Sequence, residues 1–344
     1  MLESFRDLCL LPGVSGNEKP VADYLQEKLA GVPGVSCRVD ALGNLLVHKT
    51  GAHRANTRLL LSAHMDEVGL MVTAVTEEGM LKLAPVGGID PRVVLGRRVK
   101  VGERAVKGVI GTKAVHLQEA DERKTAPDFK ALSIDIGASS KEEAFKIVKP
   151  GETAVFDSDF VEFGDGMVKS KAIDDRVGCA VLLDLLRGPM EYDADFAFTV
   201  QEEVGTRGAR VAAFSAEPDA AIVVEATTAA DVPFVPAENK VCFLGQGPVI
   251  SFMDNGTVYD RALCDLAFAA AGELKIPCQM KKAVAGGNDA RAIHLARGGV
   301  RPLAVSLPCR YLHSPSCVIR RADAESTLRL VAELARRISS APAC

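Results

Sequence analysis

The sequence contains no apolar stretch long enough to cross a lipid bilayer. Such a span needs about 20 consecutive apolar residues, and the apolar runs among these 344 residues are all much shorter. The first residues also lack a basic segment followed by an apolar one, so we expect no secretory signal. These absences predict a cytoplasmic protein with no membrane partner.

Cysteine pairs with the CxxC spacing of thiolate metal sites are also missing. The nine cysteines are odd in number and scattered along the chain. We therefore expect free thiols, most of them small core residues in a reducing compartment.

An excess of positive charge is absent as well. The formal net charge is −4, and no basic surface is concentrated anywhere, so we expect no nucleic-acid partner. Hydrophobic residues make up 48% of the chain and charged residues 25%. This balance is typical of a globular protein with a large core that needs no disulfides.

The chain changes character in its middle. Apolar strands alternate with helical patterns at both ends, whereas residues 70–168 carry valine-rich runs separated by recurrent glycine and proline. The sequence therefore predicts an α/β fold, with a catalytic domain formed by residues 1–69 and 169–344. Residues 70–168 are predicted to be an inserted β-barrel or sandwich.

The periodicity of the apolar residues predicts the individual elements. The main predicted strands cover residues 58–63, 195–200, 220–224 and 302–307, and the main predicted helices cover residues 17–30, 177–186, 259–271, 289–297 and 322–338.

Acidic residues and histidines cluster where these strands end or where a helix starts. In open α/β sheets ligands bind beyond the carboxyl ends of the strands, so we expect these side chains to lie close together. They are His64, Asp66, Asp174, Glu202, Glu203, Glu225 and His313.

Each of these residues has an ordinary interpretation when it is taken alone. His64 suits a hydrogen-bonded core histidine, Asp174 suits a helix cap, and Glu225 suits an ion pair with an arginine. The combination favours metal binding, because buried carboxylates repel one another unless divalent cations neutralise them. A set of two histidines and three carboxylates suits two zinc-like ions that share one carboxylate.

The strings around these residues resemble a known family. AHMDEVGL, LSIDIGA, KAIDDRVG, QEEVGTRGA, LGQGPVI and YLHSP are similar to the motifs of the tetrahedral aminopeptidases. These are the glutamyl and leucyl aminopeptidase group of the co-catalytic zinc exopeptidases. The similar strings run from about residue 60 to residue 319 and so cover most of the chain.

The resemblance implies two divalent metal ions per subunit, such as zinc, cobalt or manganese. Asp174 would bridge the two ions. His64 and Glu225 would complete one metal site, and Glu203 and His313 would complete the other.

The resemblance also implies roles for two further carboxylates and for one peptide bond. Glu202 would be the general base, and Asp66 would orient His64. The peptide bond between Asp174 and Asp175 would be cis.

Two positions depart from the family pattern. The family often has aspartate where this chain has Glu225, and threonine where it has Asn288. The first departure bears on metal preference and the second on substrate specificity.

The implied activity is hydrolysis of the N-terminal peptide bond of peptides. The implied partners are peptide substrates and further copies of the chain, which would form dimers through the β-rich insertion and a dodecamer from those dimers. Two alternatives remain at this point. The same dinuclear site could act on another acylated small molecule, or the chain could be a non-catalytic assembly scaffold.

Overall fold

A computed structural model describes residues 1–342 of the protein. Its helices are α1 (Leu2–Leu10), α2 (Lys19–Leu29), α3 (Pro91–Val94), α4 (Lys141–Phe145), α5 (Ile173–Arg187), α6 (Arg207–Ala216), α7 (Arg261–Glu273), α8 (Ala290–Ile293) and α9 (Arg321–Ser340). Its strands are β1 (Val35–Val39), β2 (Leu45–Lys49), β3 (Leu59–His64), β4 (Gly69–Val75), β5 (Leu81–Val86), β6 (Arg98–Val101), β7 (Val106–Gly111), β8 (Ser133–Asp135), β9 (Thr153–Phe156), β10 (Val161–Phe163), β11 (Met167–Ser170), β12 (Ala194–Thr199), β13 (Ala220–Thr228), β14 (Val249–Ile250), β15 (Gln279–Met280), β16 (Arg301–Cys309) and β17 (Cys317–Arg320).

An eight-stranded mixed sheet with the order β1-β2-β12-β3-β13-β16-β14-β15 forms the centre of the protein. Its four inner strands, β12, β3, β13 and β16, are parallel. All six residues of β3 are buried, as expected for a parallel strand covered by helices on both faces. The predicted mixed α/β fold is therefore confirmed.

A second β structure is a closed barrel of six strands in the order β4-β5-β8-β7-β6-β9. It has its own hydrophobic core, which includes the fully buried Leu81, Val99 and Ile134. This barrel confirms the β-barrel-like insertion. The exact division of the chain into residues 1–69, 70–168 and 169–344 stays a prediction.

A third, small sheet joins the segment after the barrel to a strand near residue 320. Strands β10 and β11 follow the barrel, and β11 pairs with β17 near the C-terminus. The sequence analysis missed this sheet because its strands have three or four residues each and pair over a long sequence separation.

Two helical segments differ from the predictions. Helix α1 was not predicted, although its buried residues recur at helical spacing. The helix predicted for residues 289–297 is only one turn, α8, which ends at Ile293. The chain continues as turns to Arg297, which adopts a left-handed backbone conformation with φ of 53° and is followed by two glycines, so a helix through Arg297 is excluded.

Within residues 1–342, the cysteines are free thiols and six of them are buried, as predicted. Cys344 lies outside the described residues. No helix in this part of the chain combines the length and the apolarity that a membrane span requires.

Candidate metal centre

The inner strands of the sheet bring the predicted site residues to one edge. His64 is the last residue of β3, and it lies beside Thr199 at the end of β12. Glu202 and Glu203 follow β12, and Glu225 lies in β13 opposite Ser306 of β16. The loop after β16 carries His313, and the first turn of α5 carries Asp174.

Asp174 lies at the centre of the cluster and faces both histidines. Its Oδ1 atom is 3.2 Å from Nε2 of His64, and its Oδ2 atom is 3.6 Å from Nε2 of His313. The two oxygens of one carboxylate therefore face two different imidazoles.

A glutamate completes each half of the cluster. Nε2 of His64 is 3.5 Å from Oε1 of Glu225, and Nε2 of His313 is 3.3 Å from Oε2 of Glu203. The five side chains thus form two three-residue groups that share Asp174.

This donor set fits a pair of divalent cations. Two ligand atoms at about 2.0–2.1 Å from one tetrahedral zinc ion lie about 3.3 Å from each other, which is close to the four separations of 3.2–3.6 Å in the cluster. Most of these separations are long for a direct hydrogen bond. In addition, Oε1 of Glu203 is buried and has no hydrogen-bond partner within residues 1–342, and an unpaired buried acceptor suits a cation.

The electrostatics of the cluster also suit a cation. Burial, together with the charge of Asp174, raises the pKa of Glu225 well above its usual range. Burial opposes the charged form of His313, yet Asp174 and Glu203 outweigh it and raise the pKa of His313 to about 11. Positive charge is therefore strongly favoured between these carboxylates, and a divalent cation supplies it at the same atoms.

Asp175 is a further carboxylate near the cluster. Ligand atoms of His64, Asp175 and Glu225 lie within 4.8 Å of one another. However, the Asp175 oxygens accept hydrogen bonds from the backbone N–H groups of His64 and Gly178, so they are already engaged. The peptide bond between Asp174 and Asp175 is cis, as the resemblance implies.

Hydrogen bonds on the outer nitrogen orient both imidazoles. Nδ1 of His64 is 3.1 Å from the Asp66 carbonyl oxygen and 3.3 Å from Asp66 Oδ1. Nδ1 of His313 is 2.8 Å from the carbonyl oxygen of Gly88, which belongs to the loop after barrel strand β5. These contacts point both Nε2 atoms into the cluster, the arrangement usual for metal-bound histidines.

The Asp66 carboxylate also holds the segment that carries the two glutamates. It accepts hydrogen bonds from the backbone N–H groups of Glu202 at 3.0 Å and Glu203 at 3.1 Å. The hydroxyl of Ser15 donates a third bond at 2.6 Å. Sequence analysis missed Ser15 and Gly88, because each reaches the site only through tertiary contacts from a distant segment.

A cleft of about 460 Å³ opens onto the cluster. Six of the seven predicted site residues line it, while Asp66 is fully buried behind them. Burial, aided by the charges of Asp289 and Glu203, raises the pKa of Glu202 well above its usual range. The remaining lining residues include Gly286, Gly287 and Asn288, the loop that departs from the family pattern.

The sequence model of the M42 glutamyl aminopeptidase family matches residues 43–330. A putative aminopeptidase of Acetivibrio thermocellus is 37% identical over 97% of this chain and 98% of its own length. The lysyl aminopeptidase of Pyrococcus furiosus is 32% identical over 94% of this chain and 93% of its own. The solved TET1 peptidase of Pyrococcus horikoshii, which assembles into a tetrahedron or a large octahedral shell, has a TM-score of 0.86 at 34% identity, and the match covers 97% of this chain and 98% of that one.

Proposed function

The chain belongs to the M42 glutamyl aminopeptidase family, and from this premise we propose a dinuclear mechanism for it. In this proposal the protein hydrolyses the N-terminal peptide bond of peptides with two divalent cations and a glutamate general base. The observation that carries the proposal is the position of Asp174, whose two oxygens face two separate histidine–glutamate pairs.

His64, Glu225 and Asp174 would hold one cation, and His313, Glu203 and Asp174 would hold the other. Bound divalent cations lower the pKa of water towards neutrality and polarise the scissile carbonyl group. The free α-amine of the substrate would dock beside the cluster, which restricts cleavage to the first peptide bond.

Glu202 would carry the proton during the reaction. It lines the cleft, and its pKa is raised by burial and by neighbouring carboxylates, so it accepts a proton more readily than an exposed glutamate does. It would take a proton from the attacking water and return it to the leaving amine. Asp66 would act as a positioning residue, because it holds both the His64 ring and the Glu202–Glu203 backbone.

We also propose that the protein self-associates. The TET1 peptidase can assemble into a tetrahedron or a large octahedral shell, and a further TET1 structure contains a dodecamer. In our proposal the barrel of β4–β9 mediates dimerisation, and dimers combine into a closed shell that admits unfolded peptides.

The assay that tests the proposed activity uses purified protein and aminoacyl-p-nitroanilides. We expect hydrolysis with added zinc, cobalt or manganese, loss of activity after exhaustive chelation, and recovery when metal is restored. Full activity after chelation would refute the metal mechanism. Hydrolysis of N-acyl amino acids but of no aminoacyl anilide would favour the rival amidohydrolase, and no hydrolysis of either class would favour the scaffold.

A further inference from the structure

Two buried cationic side chains flank Asp174, the residue that both halves of the cluster share. Lys171 comes before Asp174 in the chain, and Arg176 comes after it. The side chains of Lys171 and Arg176 are 2% and 0% exposed, which is rare for these residue types unless they are paired. Neither belongs to the described residues that line the cleft, so neither is placed to contact a substrate there.

Lys171 is tied to the segment between β3 and β4. Its Nζ atom donates a hydrogen bond of 2.7 Å to Oε1 of Glu67 and another of 2.8 Å to the carbonyl oxygen of Leu11. The Glu67 side chain is also 2% exposed, so the two charges form a fully buried ion pair. Removal of one partner from such a pair is strongly destabilising, because the other charge stays buried without compensation.

Arg176 is tied to the same segment by a second set of contacts. Its Nε atom donates a hydrogen bond of 2.8 Å to the carbonyl oxygen of Met65, the residue that follows His64. Its Nη1 atom donates one of 2.5 Å to the carbonyl oxygen of Leu8 in α1, and its Nη2 atom lies 3.6 Å from Oε1 of Glu67. One planar guanidinium thus joins α1 and α5 to the segment after β3.

The backbone between the two cations has an uncommon conformation. Ala172 has φ of 53° and ψ of 24°, in the left-handed region that residues with a side chain rarely adopt. Such a conformation persists only where the surrounding contacts fix the chain. The anchored side chains of Lys171 and Arg176 supply contacts of this kind on either side of Ala172 and Asp174.

We propose that Lys171 and Arg176 are positioning residues of the candidate metal centre. They hold the start of α5, which carries Asp174, against the segment after β3, so that Asp174 keeps its separation of 3.2 Å from Nε2 of His64. This inference rests on the proposed dinuclear site and adds to it two residues outside the ligand set.

The main test measures the zinc affinity of the metal-free protein by calorimetric titration. Residues that hold metal ligands in place typically contribute 10- to 100-fold to metal affinity. We therefore expect Lys171→Met and Arg176→Lys each to weaken zinc binding by about tenfold or more. Arg176→Lys keeps the positive charge but loses the planar fork, so a loss of affinity in this variant assigns the effect to geometry. Wild-type affinity in both variants would overturn the inference.

Lys169→Met is the matched control. Lys169 lies in β11 close to Lys171, and its Nζ atom donates hydrogen bonds to the hydroxyl of Ser158 at 2.7 Å and to the carbonyl oxygen of Asp159 at 3.1 Å. Because these contacts do not involve the segment after β3, this variant should keep the wild-type zinc affinity. An equal loss of affinity in Lys169→Met and Lys171→Met would contradict a specific role for Lys171.

Replacement of the whole ion pair separates positioning from stability. In the double variant Glu67→Leu/Lys171→Met both charges are gone, and such a replacement by apolar residues is often nearly neutral for stability. We expect the double variant to recover most of the unfolding temperature that Lys171→Met loses, while its zinc affinity stays about tenfold below that of the wild type. Recovery of stability and zinc affinity together would show that the pair has a structural role alone.

Gly13 offers a variant that reaches Arg176 without changing any charge. A Cβ atom added at Gly13 would lie 2.5 Å from Nη2 of Arg176 and 3.0 Å from Cγ2 of Val21. Gly13→Ala should therefore displace the guanidinium and weaken zinc binding, and it should have much less effect in the Arg176→Lys background. Equal effects in the two backgrounds would assign the loss to Val21 and count against Arg176.

The outcomes for the wild type separate this inference from the proposed function. A wild type that binds zinc but hydrolyses no aminoacyl anilide overturns the proposed activity, and the zinc affinities of the variants still decide the role of the two cations. A wild type that binds no zinc overturns the metal centre and this inference with it. A wild type that binds zinc and is active, with variants of unchanged affinity, overturns this inference alone.

Discussion

Glu202 and Glu203 are neighbours in sequence but have different surroundings. Oε2 of Glu203 lies 3.3 Å from Nε2 of His313, whereas the Glu202 carboxylate lines the cleft and makes no ion pair within residues 1–342. The difference follows from the turn after β12, which Asp66 fixes through both backbone N–H groups.

Glu202→Gln should keep the metal and lose turnover. The amide cannot accept the proton, and general acid–base catalysis contributes roughly 10²- to 10⁴-fold, so we expect kcat to fall by at least that factor. Metal content, measured by mass spectrometry of the purified protein, should stay near that of the wild type.

Glu203→Gln is the matched variant, and it should lose metal together with activity. The division of labour between the two glutamates is wrong if Glu202→Gln keeps wild-type turnover, or if Glu202→Gln is the variant that loses metal.

At the scale of single residues, the sequence indicated the candidate site because the candidate ligands follow strands. These residues lie at or near the ends of the parallel strands, where the apolar run of the strand gives way to polar and charged residues. They are His64, Glu203, Glu225 and His313. Ser15 and Gly88 carried no such signal. Each lies in a distant segment, and only tertiary packing brings it to the site.

At the scale of elements, helix α6 is packed tightly against the end of β12. A Cβ atom added at Gly208 would lie 2.3 Å from Oδ1 of Asn44 and 2.4 Å from the carbonyl oxygen of Val200. Asn44 in turn accepts a hydrogen bond from the Val200 N–H group and donates one to the Gly208 carbonyl. The start of α6 therefore fixes the turn that carries Glu202 and Glu203.

Gly208→Ala should disturb the proposed metal centre, although Gly208 does not belong to it. We expect a loss of about 1–3 kcal/mol of stability, because the backbone must shift to admit the methyl group, and a weaker affinity for zinc. Thermal unfolding and zinc titration measure the two effects.

Gly272→Ala in α7 is the control, since an added Cβ there meets no atom of the described residues 1–342 within 4 Å. Alanine is the better helix former by about 0.5–1 kcal/mol, so this variant should be slightly more stable than the wild type. Equal stabilisation by both substitutions would show that α6 does not fix the turn as described.

The sequence predicted the long elements well and the short ones poorly. The strong apolar periodicity of α9 and the buried runs of β3, β13 and β16 are local signals. By contrast, β14 and β15 have two residues each, and β10, β11 and β17 exist only because distant segments pair. Periodicity over a few residues cannot indicate such pairing.

At the scale of the whole molecule, metal uptake should be coupled to proton release. Asp174 and Glu203 raise the pKa of His313 to about 11 against the effect of burial, so its imidazole is protonated at pH 7 in the absence of metal. A coordinating Nε2 atom must lose its proton. The affinity for the cation should therefore rise with pH and fall as the pH decreases.

Calorimetric titration with zinc in two buffers of different ionisation enthalpy measures the released protons. The observed enthalpy should differ between the buffers. His48→Ala, which removes an exposed imidazole paired with Asp195, should leave that difference unchanged. Identical enthalpies in the two buffers would contradict the coupling.

The assembly of the molecule is a further prediction at this scale. We expect light scattering to give a mass several times that of one chain. Val115 and Leu117, which lie between β7 and β8 of the barrel, are 68% and 60% exposed, so Leu117→Asp should weaken a dimer formed through this region.

Leu295 lies outside the barrel, is 72% exposed, and serves as the comparison. A monomeric wild type would refute the assembly. Dissociation caused by Leu295→Asp but not by Leu117→Asp would show that the barrel does not mediate the dimer.

The candidate metal ligands are far apart in the chain, and this has a consequence for protein synthesis. They run from His64 to His313, so the ribosome must add about 250 residues after the first of them before the last one exists. At about 5–20 residues per second this interval lasts roughly 12–50 s. During that time a growing chain holds an incomplete set of ligands, so we expect metal uptake at this site to follow the translation of His313.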